Sequence, residues 1–211
     1  MPLKYLNIKH FLALILVVAL IIWILLLSAL GIPLDINFET LKHIPTVLTV
    51  EGILGIVFTK WLWRWRIFSL LVPFPDLQGT WKGTLKSSWK KPGEGETTPP
   101  IPCYLIIRQS FLNISCVIMT NESKSHSCAA SLLIDGETET KRLIYTYLNR
   151  PEVKFRERSE MHDGTTMLEI SETKDGILLQ GEYWTNRSTT GDISFKKHSD
   201  SIDINLPKLF K

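Results

Sequence analysis

The sequence predicts two membrane-spanning α-helices followed by an all-β domain, a compact antiparallel barrel of eight strands. Three observations predict it. Phe11–Leu30 is a 20-residue apolar run with Ser28 as its only polar residue, and it is followed by a weaker run over 44–63. From Asp76 onward no such run recurs, and short alternating segments are separated by turn residues. No segment after Asp76 holds a helical period.

The helices come first. At about 1.5 Å per residue, 20 residues span about 30 Å, the thickness of a bilayer's hydrocarbon core. A cleaved secretory signal would have a shorter apolar stretch and a small-residue cleavage site, and Leu27–Gly31 (LSALG) does not supply one. The second run carries Pro45, Thr46, Thr49, Glu51, Thr59 and Lys60. Lys4 and Lys9 precede the first run; Lys60, Arg64 and Arg66 mark the end of the second, and only Lys42 lies between. That bias puts both termini in the cytoplasm. Trp61, Trp63 and Trp65 fit an interfacial aromatic belt.

The expected organisation is a membrane region over 1–72, a linker at 73–75, a barrel over 76–198 and a tail over 199–211. Pro73 and Pro75 end any helix and leave a short linker. The whole net charge of +3 sits before Asp76; from there on 18 Lys+Arg face 18 Asp+Glu. DNA or long RNA is therefore not an expected partner, since binding it needs a basic footprint. Cys103, Cys116 and Cys128 are odd in number and have no C-x-x-C spacing, which points to neither a disulfide framework nor a zinc site.

The strands are expected over 76–85, 102–109, 112–120, 126–134, 142–149, 165–171, 177–187 and 191–197, with Asp135-Gly136 and Asp175-Gly176 as hairpin turns. Leu77, Gly79, Trp81, Gly83 and Leu85 share one face of the first. Trp81 reads as floor packing, and Gly79 suits a sharp bend in a small barrel. Leu143, Tyr145, Tyr147 and Asn149 share a face of the fifth strand, and Leu179, Gly181, Tyr183, Thr185 and Arg187 one of the seventh. Both faces start apolar and turn polar toward the same end. An eight-stranded barrel is wide enough to be filled by side chains or to hold one small ligand. The expectation is a filled half and a half that forms a cup of Tyr, Thr, Asn and Arg, with Thr189 beside it. The competing reading is that these are core tyrosines with satisfied hydroxyls and an arginine that reaches water.

No catalytic constellation stands out. The five histidines pair with nothing at metal spacing, and no nucleophile elbow, H-E-x-x-H or phosphate-cradling loop occurs. The expectation is a protein that is not an enzyme and needs no cofactor or metal.

The membrane pair, the passage VPFPDLQGTWKGTL, the eight strands and the late segment LQGEYWTNRSTTGDISFKK together carry a resemblance. The chain resembles the two-transmembrane β-barrel effectors of bacterial CBASS anti-phage systems, the SMODS-associated two-transmembrane β-strand-rich family. The resemblance implies a lipocalin-like barrel that binds a cyclic oligonucleotide, most simply a cyclic dinucleotide. It implies a partner synthase that makes this signal on infection. It further implies self-association, disruption of the bacterial inner membrane and death of the infected cell. On side-chain chemistry the expected ligand contacts are Tyr145, Tyr147 and Tyr183 by stacking, Arg187 on a phosphate, and Asn149, Thr185 and Thr189 by neutral hydrogen bonds. A membrane-anchored carrier of a lipid or small apolar molecule is the alternative. Its interior would stay apolar to the rim.

Glu51 stands near the centre of the second span, where a carboxylate costs about 2.5–3.5 kcal/mol. Glu51, Gly55 and Thr59 follow at i, i+4 and i+8 with Gly52 beside them, a small-residue stripe with one strong polar group. This stripe is expected to face other copies of the same helix.

Overall fold

A computed structural model describes residues 6, 8–68, 71, 72, 74–88, 99–151, 153 and 161–202. Pro73 of the expected linker and the expected tail beyond 202 lie outside the described residues. The chain forms two compact units, Leu3–Pro73 and the part from Phe74 on.

In the first unit, α1 (Ile8–Ala29) and α3 (Ile44–Lys60) are the two long helices, with a single turn, α2 (Phe38–Leu41), between them. Both runs are long and apolar enough to cross a membrane. α1 ends where Gly31 takes φ +67°, which lets Ile32 N donate to Leu27 O at 3.0 Å and close a Schellman cap. Asn37 caps α2, its Oδ1 accepting from Thr40 N at 3.0 Å while Thr40 Oγ1 accepts from Asn37 N. α3 stops at Lys60, three residues before the apolar run does. There Arg64 reaches back to donate to Lys60 O at 2.9 Å, and Leu62–Arg64 and Arg66–Phe68 continue as 3₁₀ turns. α1 and α3 meet through Phe11 and Phe58, whose ring centroids are 6.0 Å apart.

The second unit is a closed antiparallel barrel in which each strand pairs with the next and β8 closes on β1. The strands are β1 (Gly79–Ser87), β2 (Ile101–Gln109), β3 (Ile114–Met119), β4 (Ser123–Ile134), β5 (Lys141–Pro151), β6 (His162–Thr173), β7 (Gly176–Thr185) and β8 (Thr190–Ser199). This is the expected architecture, with shifted boundaries. β1 begins three residues later than the sequence pattern indicates, β4 and β6 each begin three residues earlier, β7 ends at Thr185, two residues short, and the remaining strand ends differ by two residues or fewer.

Alternation sets the interior. Across one layer Gly83 pairs with Cys103 and Phe195, and Leu168 with Leu143 and Gly181. Trp81, Leu105, Ile107, Leu143, Leu168, Leu179 and Phe195 fill the end nearest the β1 N-terminus, each at most 1% exposed. Burying each of these side chains contributes about 1.5–3 kcal/mol. The polar atoms at this floor are paired. Trp81 Nε1 donates to Leu77 O at 2.9 Å. Gln109 Oε1 accepts from Leu77 N at 2.7 Å, and its Nε2 donates to Pro75 O at 3.0 Å. Gly79 has φ +132° and packs so closely on Ser199 O that a side chain there would collide.

Candidate functional site

The other end of the barrel is bounded by the β1–β2, β3–β4, β5–β6 and β7–β8 connections. Five of the residues expected to form the site lie on its interior wall: Tyr145, Tyr147 and Asn149 on β5, and Tyr183 and Thr185 on β7. β6 stands between them, with Thr166 opposite both Tyr145 and Tyr183, and Gly164 opposite both Tyr147 and Thr185. All five are buried, from 1% exposed at Tyr145 to 8% at Thr185. The polar half is therefore packed with side chains rather than open as a cup.

Two rings lie against glycines of neighbouring strands. A Cβ on Gly164 would fall 2.5 Å from the Tyr147 hydroxyl, and one on Gly191 2.7 Å from Tyr183 Cε1. Each glycine thus makes room for the aromatic ring beside it. Tyr145 and Tyr147 approach at 6.0 Å between centroids. Burial raises the pKa of all three tyrosines above the ordinary value; a Ser87 hydrogen bond partly opposes this at Tyr183. All three are neutral hydroxyls at physiological pH.

Asn149 anchors a small network. Ser125 Oγ donates to its Oδ1 at 2.7 Å, and its Nδ2 faces His162 Nδ1 at 3.5 Å. Thr185 and Thr189 share a hydroxyl–hydroxyl hydrogen bond of 2.6 Å across the β7–β8 turn. Arg187 departs from the expectation that it shares the inner face. It lies exposed in that turn, its backbone N donating to Thr185 Oγ1 at 3.2 Å, next to Ser188 at φ +56°. Extending the alternation past the strand end put it inward; the tight turn puts it outside the lumen.

Sequence reasoning missed Ser87, Ser125, His162, Gly164 and Thr166, which complete this end. Tyr145 Oη is the one buried side-chain polar atom there, among the described residues, that makes no hydrogen bond. Thr166 stands close enough to oppose in part the rise in the Tyr145 pKa, but the pair falls short of full hydrogen-bond geometry. A surface concavity of about 430 Å³ lies at the rim along Ser87, Ser88, Pro100, Thr190 and Gly191. A larger one, about 770 Å³, lies on the outer face of β5–β8 and β1 among Lys86, Arg142, Glu169, Glu182 and Asp192. None of the expected ligand residues lines it, so its size alone does not mark it as the site.

The expected stripe on α3 differs in exposure along its length. Glu51 lies on the same side as Val47 and Phe58, the side whose Phe58 meets α1. Its Oε1 is buried without a hydrogen-bond partner, and Ser28, the one polar side chain in the α1 run, is exposed. Gly52 and Gly55 are exposed, and a Cβ at either would meet nothing within 4 Å. Thr59 Oγ1 donates to Ile56 O at 3.0 Å.

Comparison with known proteins agrees with this architecture. Residues 72–197 match the family model described as the Cap15 cyclic dinucleotide receptor domain. A protein of Staphylococcus schleiferi named CD-NTase-associated protein 15 is 27% identical over 150 residues, 71% of this chain and 76% of that one. One of the same name from Escherichia albertii is 24% identical over 189 residues, 86% of this chain and 90% of that one. This is a family of receptors rather than of enzymes. The match covers more than half of the chain and spans every strand from Gly79 to Lys197, so the chain belongs to the Cap15 cyclic dinucleotide receptor family, the two-transmembrane β-barrel effectors that its sequence resembles.

Proposed function

We propose that the polar end of the barrel binds a cyclic dinucleotide and that binding drives the two helices to self-associate and disrupt the bacterial inner membrane. The signal comes from a partner cyclic-oligonucleotide synthase, and the outcome is death of the infected cell. Both termini face the cytoplasm, where that signal is made. The observation that carries this reading is the convergence of Tyr147, Asn149, Tyr183 and Thr185 with Ser125 and His162 at one end of a closed barrel. Aromatic faces supply stacking worth about 1–3 kcal/mol per base. The hydroxyls and the amide supply neutral hydrogen bonds. Arg187 and Thr189 stand on the β7–β8 turn at the rim, where a phosphate can be met in water-exposed surroundings.

Glu51, Gly52, Gly55 and Thr59 are proposed as the part of α3 that meets other copies once the barrels are clustered. An unpartnered acid in an apolar hairpin favours any arrangement that gives it a partner.

The test uses the full chain in lipid nanodiscs and liposomes. Cyclic dinucleotides are titrated, and dye release from loaded liposomes is followed. The expected result is saturable binding together with ligand-dependent leakage, both weakened in Arg187→Ala, and leakage alone weakened in Glu51→Gln. Binding of fatty acids but of no cyclic dinucleotide would replace this reading with that of a carrier.

A further inference from the structure

The described interior at the polar end holds no Lys, Arg, Asp or Glu. Its polar groups are Ser87, Ser125, Ser127, Asn149, His162, Thr166, Thr185 and the three tyrosines. Among the described residues, the cations near this end are Lys86, Lys124, Arg150 and Arg187; Lys124 is half-buried and the others exposed, and none lies on the inward face of a strand. A phosphate carried down between these strands would lose its hydration with no cation among the described inward residues to offset the loss, a cost of many kcal/mol. An uncharged heterocycle would lose far less, and it would meet hydroxyls.

Within that neutral set the satisfied and unsatisfied groups separate cleanly. Asn149 is bonded to Ser125 and Thr185 to Thr189. Tyr145 is 1% exposed and its Oη makes no hydrogen bond of good geometry, Thr166 being its one weak candidate partner among the described residues. It is also the deepest polar group on β5, because the next inward residue, Leu143, belongs to the apolar floor. Its neighbours across the sheet are small, Ala130 on β4 and Thr166 on β6. Above it stands Tyr147, whose hydroxyl end rests on Gly164 with no side chain to lock it. A buried hydroxyl left without a partner costs about 1–3 kcal/mol. Among the described residues, the fold carries that cost at the boundary between floor and mouth and nowhere else at this end.

We propose that Tyr145 Oη is the deepest hydrogen-bonding atom of the ligand site and reads the edge of a nucleobase, so that the ligand stands base-inward with its phosphates at the rim. This rests on the cyclic dinucleotide reading given above and adds to it the orientation and the atom that discriminates bases. Tyr145 then acts through its hydroxyl rather than by stacking. Tyr147 is the ring that must swing off Gly164 for the base to descend. Burial holds the Tyr145 hydroxyl in its protonated form, which can both donate and accept.

The experiment is a calorimetric titration of the full chain in nanodiscs with cyclic di-adenylate, cyclic di-guanylate and cyclic di-uridylate, for the wild type and Tyr145→Phe. Phe keeps the ring and removes only the hydroxyl. The expected result is about a tenfold or greater loss of affinity for the preferred ligand, since a site built around a hydrogen bond rejects its absence strongly. The spread of affinities across the three ligands contracts. The melting temperature without ligand stays the same or rises, because an orphaned polar atom has been removed. The salt dependence of binding is unchanged in Tyr145→Phe and reduced in Arg187→Ala. Equal affinity and an intact spread in Tyr145→Phe would overturn the inference while leaving the site reading in place. A marked fall in ligand-free melting temperature would overturn it too, by showing that the hydroxyl is already bonded within the fold. If the wild type bound none of the three, the site reading itself would fall, and the inference with it.

Discussion

The two ends of the barrel obey one alternation and differ in chemistry. At the floor, Trp81, Leu143, Leu168, Leu179 and Phe195 are sealed, and the polar atoms of Trp81 and Gln109 are bonded to Pro75 and Leu77. At the mouth, residues just as buried are tyrosines, threonines and an asparagine, held in short networks with one hydroxyl left over. Equal burial therefore serves two purposes. The floor turns apolar area into stability. On the proposed reading, the mouth gives up some of that stability to keep neutral hydrogen-bonding groups in a dry place, where they would be worth most to a ligand.

The comparison breaks most readily at the floor. Trp81→Ala removes a fully buried ring and leaves Leu77 O without its donor. The expected cost is about 3–5 kcal/mol, read as a large fall in the melting temperature of the barrel. If the barrel melted as the wild type does, Trp81 would not be floor packing. Gln109→Leu is next. It strands Leu77 N and Pro75 O and is expected to cost about 1–3 kcal/mol, with no selective effect on ligand binding. At the mouth the order of effects reverses. Asn149→Leu replaces a hydrogen-bonded amide by an apolar group of similar size and leaves the buried Ser125 hydroxyl without its acceptor. Its stability should fall by about 1–3 kcal/mol, while cyclic dinucleotide affinity falls by more than that equivalent. A large stability loss with intact binding would make Asn149 a floor-type residue in disguise.

Most of the fold was legible because its signals are local. Asp135-Gly136 and Asp175-Gly176 mark turns, Gly176 indeed standing at φ +111°, and the inward residues of β5 and β7 follow a period of two without interruption. The inward residues of the candidate site were legible where that period held. Ser125 was not, because a bulge between Ser127 and Ala129 shifts the parity of β4, so that Ser125 and Ser127 point inward ahead of it and Ala130 and Leu132 after it. A polar stretch such as Ser123–Ser127 also reads as a loop until its pairing with Tyr147–Pro151 is known. His162 and Gly164 were missed for the same reason: nothing apolar precedes Thr165 to announce a strand. Arg187 failed in the opposite sense, since alternation continued past Thr185 has no strand to carry it. On α3, spacing grouped Glu51 with Gly55, and Val47 and Phe58, the residue that meets α1, lie close to the same side.

The smallest expected effect separates the two ends by pH. Burial pushes the Cys103 thiol up to about 12 and raises Cys116 and the three mouth tyrosines. Each of these groups binds its proton more tightly folded than unfolded. Each therefore contributes stability that is fully present below its unfolded pKa and is lost as pH rises toward the folded one. Unfolded thiols titrate near about 8.5 and tyrosines near about 10. The barrel should hold constant stability up to about pH 8.5, lose it slowly as unfolded thiols ionise, and lose it faster beyond about pH 10. Thermal melts of the full chain between pH 7 and 11 would show this, and Cys103→Ala with Cys116→Ala would move the onset up to the tyrosine range. Tyr145→Phe should then flatten the remaining slope above pH 10, because one of the buried hydroxyls that drives it is gone. Trp81, Leu143, Leu168, Leu179 and Phe195 carry no group that titrates in this window, so an alkaline slope that survived all three substitutions undiminished would mean that the mouth is not as dry as its burial indicates.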